Sequence, residues 1–80
     1  MNYGQAQALK VLAAERLGLD PADTETAHKM LSGKPVHVMH SVRVSAEATR
    51  MHNLIRGDAG KVQAANEHVA ALQREFGLVG

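Results

Sequence analysis

Apolar residues recur every three or four positions along most of the chain, a spacing typical of amphipathic helices. The first such stretch runs from residue 5 to residue 17 and stops at Gly18, in the manner of a Schellman-type helix end. A second, shorter helix is predicted after Asp20-Pro21, which supply a cap and a first-turn proline, and it continues to Leu31 before a stop at Gly33. The first 33 residues therefore indicate two helices.

Two further helices are predicted in the second half of the chain. Ser45 can cap a helix over residues 46–56, and Asp58 can cap the last helix after the short turn of residues 57–60. The apolar stripe of the last helix follows a 3-4-3-4 spacing that ends before Gly77, and its members are Val62, Ala65, Val69, Leu72 and Phe76. Such a stripe also fits a zipper, but over two heptads it favours the core face of a packed helix.

The segment between the second and third helices follows a different pattern. From Pro35 to Ser45 the apolar and polar residues alternate, with Val36, Val38, Val42 and Val44 on one parity and His37, Met39, Ser41 and Arg43 on the other. Alternation predicts a strand with one buried side. A lone strand is not stable by itself, so its simplest partner is the same strand of a second copy. We therefore expect a homodimer.

These elements predict a mainly α fold in a single domain, residues 1–80. In this interpretation residues 1–33 form a helical N-terminal extension, and residues 35–78 form a strand-helix-helix unit whose strand pairs across the dimer. The alternative is a small all-α helical bundle with no strand.

Composition narrows the class of protein. The chain has 80 residues, no cysteine, thirteen alanines and only two aromatic residues, Tyr3 and Phe76. A domain of this size is marginally stable, and without disulfides oligomerisation is the remaining support. The start of the chain lacks the features of a signal peptide, and no stretch has the length to span a bilayer, so we expect a cytoplasmic protein without a membrane partner.

Charge is concentrated in the middle of the chain. Residues 29–56 hold five basic residues against Glu47 alone, a net charge of +4, whereas the whole chain carries +1. Two such segments in a dimer would give a patch of about +8, a field that attracts phosphate. A solvated charged surface without a ligand is the alternative interpretation.

The order of strand, capped helix, short turn and longer helix over residues 35–78 resembles the ribbon-helix-helix family of DNA-binding dimers. The resemblance implies that the polar parity of the ribbon enters the major groove and that the amides at the start of the last helix approach a phosphate. The implied DNA-binding residues are His37, Met39, Ser41, Arg43, Gly60 and Lys61. The implied dimer and core residues are Val36, Val38, Val42, Val44, Leu54, Ile55, Val69 and Leu72.

The five histidines are the other residues that can carry chemistry. His37 and His40 lie on opposite faces of a strand but would share one face of a helix. No carboxylate close in sequence completes a metal site, and no serine, lysine or aspartate stands at a recognisable catalytic spacing. We expect no metal, no cofactor and no enzymatic activity.

Two classes of function follow. One is a small homodimeric regulator of transcription that reads duplex DNA with its ribbon. The other is a non-enzymatic interaction module, an adaptor or inhibitor that docks on a protein partner through its helical faces. Salt distinguishes them, because DNA binding weakens steeply with ionic strength and docking of apolar helix faces does not.

Overall fold

The computed structural model describes residues 1–78 and contains four α-helices. They are α1 (Tyr3–Arg16), α2 (Thr24–Leu31), α3 (Val38–Ile55) and α4 (Ala59–Glu75). The mainly α class is confirmed, and the structure fits the all-α bundle. The predicted strand is wrong, since no strand occurs among residues 1–78.

Helix α1 forms the centre of the bundle and packs against each of the other three helices. Seven of its fourteen residues are buried, whereas α4 buries one of seventeen. A helix that is apolar on several sides is stable only when other elements surround it. The N-terminal helices are therefore an integral part of the core, which continues through Ala27 and Leu31 of α2 and Leu72 of α4.

Helix α3 replaces the expected ribbon because the apolar residues after Val42 follow a helical period. Val44, Ala48, Met51 and Ile55 are buried, and their 4-3-4 spacing places them on one helix face. Residues two apart lie on opposite sides of a helix, so Val44 is 1% exposed while Val42 is 54% exposed. Strand propensity of valine is a weak preference that tertiary packing overrides.

The helix changes the positions of the residues assigned to the ribbon and its core. Val38, Val42 and Leu54 are exposed, and Val36 and Val69 are half-buried. Val44, Ile55 and Leu72 are buried. The strand parity therefore fails, and the argument for a homodimer through strand pairing loses its basis.

The ends of three helices follow the predicted glycine chemistry. Gly18, Gly33 and Gly77 have φ angles of 85°, 76° and 68°. After α1, the Leu19 amide donates to the Ala14 carbonyl and the Gly18 amide donates to the Glu15 carbonyl, both at 3.0 Å. This pair of bonds defines a Schellman motif.

The start of each of the last three helices is fixed by a side chain. Asp58 accepts from the Lys61 amide at 3.1 Å, which confirms it as the cap of α4. Asp23, and not Asp20, caps α2, and its carboxylate accepts from the Thr26 amide. His37 caps α3, so the predicted cap Ser45 lies inside that helix.

One ion pair and one hydrogen bond connect elements that are distant in sequence. The guanidinium of Arg16 at the end of α1 donates two hydrogen bonds of 2.7 Å to Glu75 at the end of α4, which lowers the pKa of that carboxyl. Glu47 of α3 accepts from Arg50 at 2.9 Å and from the Ala22 amide at 3.4 Å. The second group joins the α1–α2 loop to α3.

The contrast between Val42 and Val44 tests whether residues 38–55 are helical. Val44→Asp places a carboxylate in the core, so we expect a loss of about 4 kcal/mol or more in the free energy of unfolding. Val42→Asp changes a solvent-facing position of the same helix and should cost no more than about 0.5 kcal/mol. Urea denaturation followed by circular dichroism measures both. Equal and severe destabilisation by the two variants would contradict the helix and support the predicted strand.

The Asp23 cap predicts how the stability of the fold changes at acidic pH. Its hydrogen bonds from Thr26, with a smaller effect of His40, lower the pKa of this carboxyl below its ordinary value of 3.8. Because the pKa is lowered in the folded state, the cap contributes its full stability above the ordinary pKa of 3.8. This contribution is lost as the pH falls through the lower pKa of the folded state. Asp23→Ala should therefore cost about 1 kcal/mol at neutral pH and progressively less below about pH 4. Asp20→Ala, a change at an exposed residue that does not cap α2, is the control and should show neither effect.

Candidate functional site

The most unusual surface of the molecule lies on the solvent face of α3. Val38 is 65% exposed and Met39 is 53% exposed, and both adjoin Val42 through i,i+4 and i,i+3 spacings. Ala46, one turn beyond Val42, is also exposed. We call these four residues the outer α3 patch.

The patch is concentrated and does not reflect a general exposure of apolar residues. Residues 1–78 hold six large hydrophobic side chains that are more than half exposed, and three of them belong to these two turns. Single exposed apolar residues are ordinary, whereas a contiguous group marks an interaction site. The buried face of α3 already packs on the core, so the patch is not needed to hold the chain together.

Basic side chains accompany the patch. Arg43 and Arg50 line a shallow cleft of about 520 Å³ beside it, together with Ala22, Asp23, Ala46 and Glu47. Arg50 forms an ion pair with Glu47, but Arg43 takes part in none of the ion pairs found within residues 1–78. Arg43 is thus an exposed cation at the edge of an apolar surface.

The structure separates the residues that the ribbon interpretation grouped. The cap residue His37 is exposed, as are Met39 and Arg43 on the first turns of α3, while the Ser41 hydroxyl donates to the Val38 carbonyl at 2.8 Å. The starts of α3 and α4 lie at opposite ends of an eighteen-residue helix, about 27 Å long. One chain therefore does not bring His37 next to the start of α4.

The start of α4 also offers less to a phosphate than expected. The Lys61 amide donates to the Asp58 carboxylate, so the cap already occupies it, and the same carboxylate places a negative charge there. Gly60 and Lys61 are both exposed. These residues form a capped helix start that meets solvent.

The histidines do not assemble a metal centre in the part of the chain that is described. His37 and His40 now share a helix, with ring centroids 6.0 Å apart, but the His37 Nδ1 accepts from the Met39 amide at 3.1 Å. No group of three or more histidine, aspartate or glutamate side chains within residues 1–78 could hold a metal ion. A structural zinc site takes four protein ligands, twice what this pair provides.

A small, partly open apolar cleft lies where three of the helices meet. It measures about 70 Å³ and lies between α1, α3 and α4, with lining side chains that include Ala13, Ala48, Met51, Val62 and Val69. Pockets that bind small molecules usually measure about 300–1,000 Å³. A substrate of ordinary size would not fit in this cleft, whereas the cleft beside Arg43 and Arg50 has such a volume but is shallow and open to solvent.

The pattern that reveals the patch is present in the sequence once residues 38–55 are treated as a helix. One apolar row runs through the buried residues 44, 48, 51 and 55, and a second row, on the opposite side, runs through residues 38, 42 and 46. A strand interpretation merges the two rows at Val42 and Val44. The alternating pattern therefore does not identify the outer face of α3 or include Ala46 in it.

No helix within residues 1–78 combines the length and the apolar character needed to cross a bilayer. Comparisons with protein-family models, with curated proteins and with solved structures find no match for this chain.

Proposed function

We propose that the chain is a non-enzymatic interaction module that docks on a protein partner through the outer α3 patch. The observation that carries the proposal is a helix with two apolar faces, of which only one is used by the fold. The Val44 face packs on the core, and the Val42 face meets solvent. When a partner covers this face, apolar surface is removed from water, and this burial favours binding.

The magnitude of this gain bears on the kind of interaction. Full burial of a valine or methionine side chain contributes about 1.5–3 kcal/mol, and the patch residues are already partly covered by their own helix. Because association costs several kcal/mol in lost freedom, three such side chains give weak binding unless polar contacts add to them. The proposed module therefore uses both the patch and its charged surroundings.

Duplex DNA is a second candidate, favoured by the basic residues of the middle segment. Lys34, Arg43 and Arg56 are exposed and outside the ion pairs of the described chain. An exposed helix can enter a major groove, so the loss of the ribbon does not remove DNA from consideration. An exposed methionine and two exposed valines are poor phosphate-binding groups, which favours the protein partner.

Photo-crosslinking in cells of the source organism tests the proposal. The residue p-benzoylphenylalanine replaces Met39 in the patch, or Gln63 on the exposed side of α4 as a control. We expect one defined protein adduct from position 39 and none from position 63. Adding Val42→Asp to the position-39 variant should remove the adduct while the circular dichroism melt stays unchanged. Identical adducts from both positions, or none from position 39, would contradict docking through the patch.

Ionic strength separates the two candidates in vitro. An electrophoretic mobility-shift assay measures binding of the purified chain to a labelled DNA duplex of random sequence at about 50 and 200 mM salt. The Arg43→Ala variant is measured for comparison. If the chain is a protein-docking module, we expect no salt-dependent binding to the duplex. DNA binding that falls by about 10³-fold or more with salt, and that weakens further in Arg43→Ala, would favour the DNA-binding regulator.

A further inference from the structure

The two flanks of the outer α3 patch differ in chemistry. Successive residues of a helix are rotated by about 100°, so Arg43 and Arg50, two turns apart, lie along one flank. Ser45 and Thr49 lie along the other flank, where the Thr49 hydroxyl donates to the Ser45 carbonyl at 3.2 Å. One edge of the apolar surface therefore carries the cationic side chains, and the other carries neutral hydroxyl groups.

The carboxylates near the cationic flank are already engaged. Asp23 accepts from the amide and the hydroxyl of Thr26. Glu47 is held by Arg50 and by the Ala22 amide, and its side chain is 16% exposed. The Arg43 guanidinium forms no ion pair within residues 1–78, so it can donate hydrogen bonds to a partner.

We propose that the partner presents an acidic amphipathic helix that lies along α3. Its apolar residues would cover Val38, Met39, Val42 and Ala46, and a carboxylate on one edge would accept hydrogen bonds from the Arg43 guanidinium. This proposal rests on the proposed function and adds the chemistry of the partner. A charge-assisted pair of this kind supplies the polar contribution that the small apolar area lacks.

The dimensions of the patch fit a helix. Residues 38–46 extend over about 12 Å along α3, which equals a little more than two turns of a docked helix. Two or three apolar residues spaced by three or four positions cover such a length, as in other helix-docking surfaces. A single apolar side chain would leave half of the patch in water.

Two other occupants fit less well. A second copy docked patch to patch would bring only carboxylates that already accept hydrogen bonds, Glu47 from Arg50 and the Ala22 amide and Asp23 from Thr26. A membrane surface would meet only two turns of apolar helix, since the opposite face of α3 is buried, and interfacial helices are usually much longer. Charge complementarity therefore selects an acidic protein segment.

Two synthetic helical peptides of about four turns test the proposal by NMR titration of the ¹⁵N-labelled full chain. Both carry leucines at the same helical spacing, and their flanking positions are all glutamate in one and all lysine in the other. We expect the glutamate peptide to shift the amides of residues 38–46 and to bind at least about tenfold more tightly than the lysine peptide.

A matched pair of variants assigns the charge effect to one residue. Arg43→Glu should lose the preference for the glutamate peptide or reverse it. Arg56→Glu changes the net charge equally at the end of α3, away from the patch, and should behave as the unchanged chain. Val42→Asp should weaken the binding of both peptides.

Each other result overturns the inference in a recognisable way. Equal affinity of the two peptides, or equal effects of Arg43→Glu and Arg56→Glu, would remove the acidic partner and leave docking through the patch intact. Shifts confined to another surface, or no binding of either peptide at millimolar concentration, would overturn the helical partner. Stronger perturbation of residues 38–46 by phosphatidylserine vesicles than by the glutamate peptide would identify a membrane surface. Failure of the proposed function itself is visible separately, as the absence of an adduct at position 39.

Discussion

The packing of α1 against the three other helices is the interaction on which the rest of the structure depends. Leu9, Val11 and Leu12 of this helix are almost completely buried, and small residues such as Ala8 and Ala13 allow the neighbouring helices to approach closely. Burial of apolar area is the main favourable contribution to folding. Helices α2, α3 and α4 are amphipathic, and they become stable because their apolar faces pack on the apolar surface of α1.

A core made largely of alanine, valine and leucine leaves a domain of 80 residues with a small margin of stability. Local interactions at the helix ends therefore carry unusual weight. The Schellman motifs at Gly18 and Gly77 end α1 and α4 with the same chemistry, and the bidentate pair of Arg16 and Glu75 joins those two ends. These contacts fix where each helix stops and how the ends of α1 and α4 lie together.

Helix α3 connects the fold to the proposed function because its two faces serve different purposes. The face of Val44 and Met51 completes the core within a single chain, so the apolar content of this segment no longer requires a second copy for coverage. The homodimer stays a prediction without the strand that motivated it. The face of Val38 and Val42 is then left as the apolar surface with no role in the fold, next to an arginine with no ion-pair partner in the described residues.

The sequence alone determined those features that depend on neighbouring residues. It predicted α1, α2 and α4 to within a few positions, the glycine ends of these helices and the Asp58 cap, because periodicity and capping are local. It did not determine the state of residues 38–46, where alternating valines fit a strand and the i,i+4 pair of Val38 and Val42 fits a helix. Packing of Val44 and Ala48 in the core shared with α1 decided for the helix, since it buries Val44 without a partner strand. The same packing turned Val42 outward, and the candidate site is therefore a product of the tertiary structure.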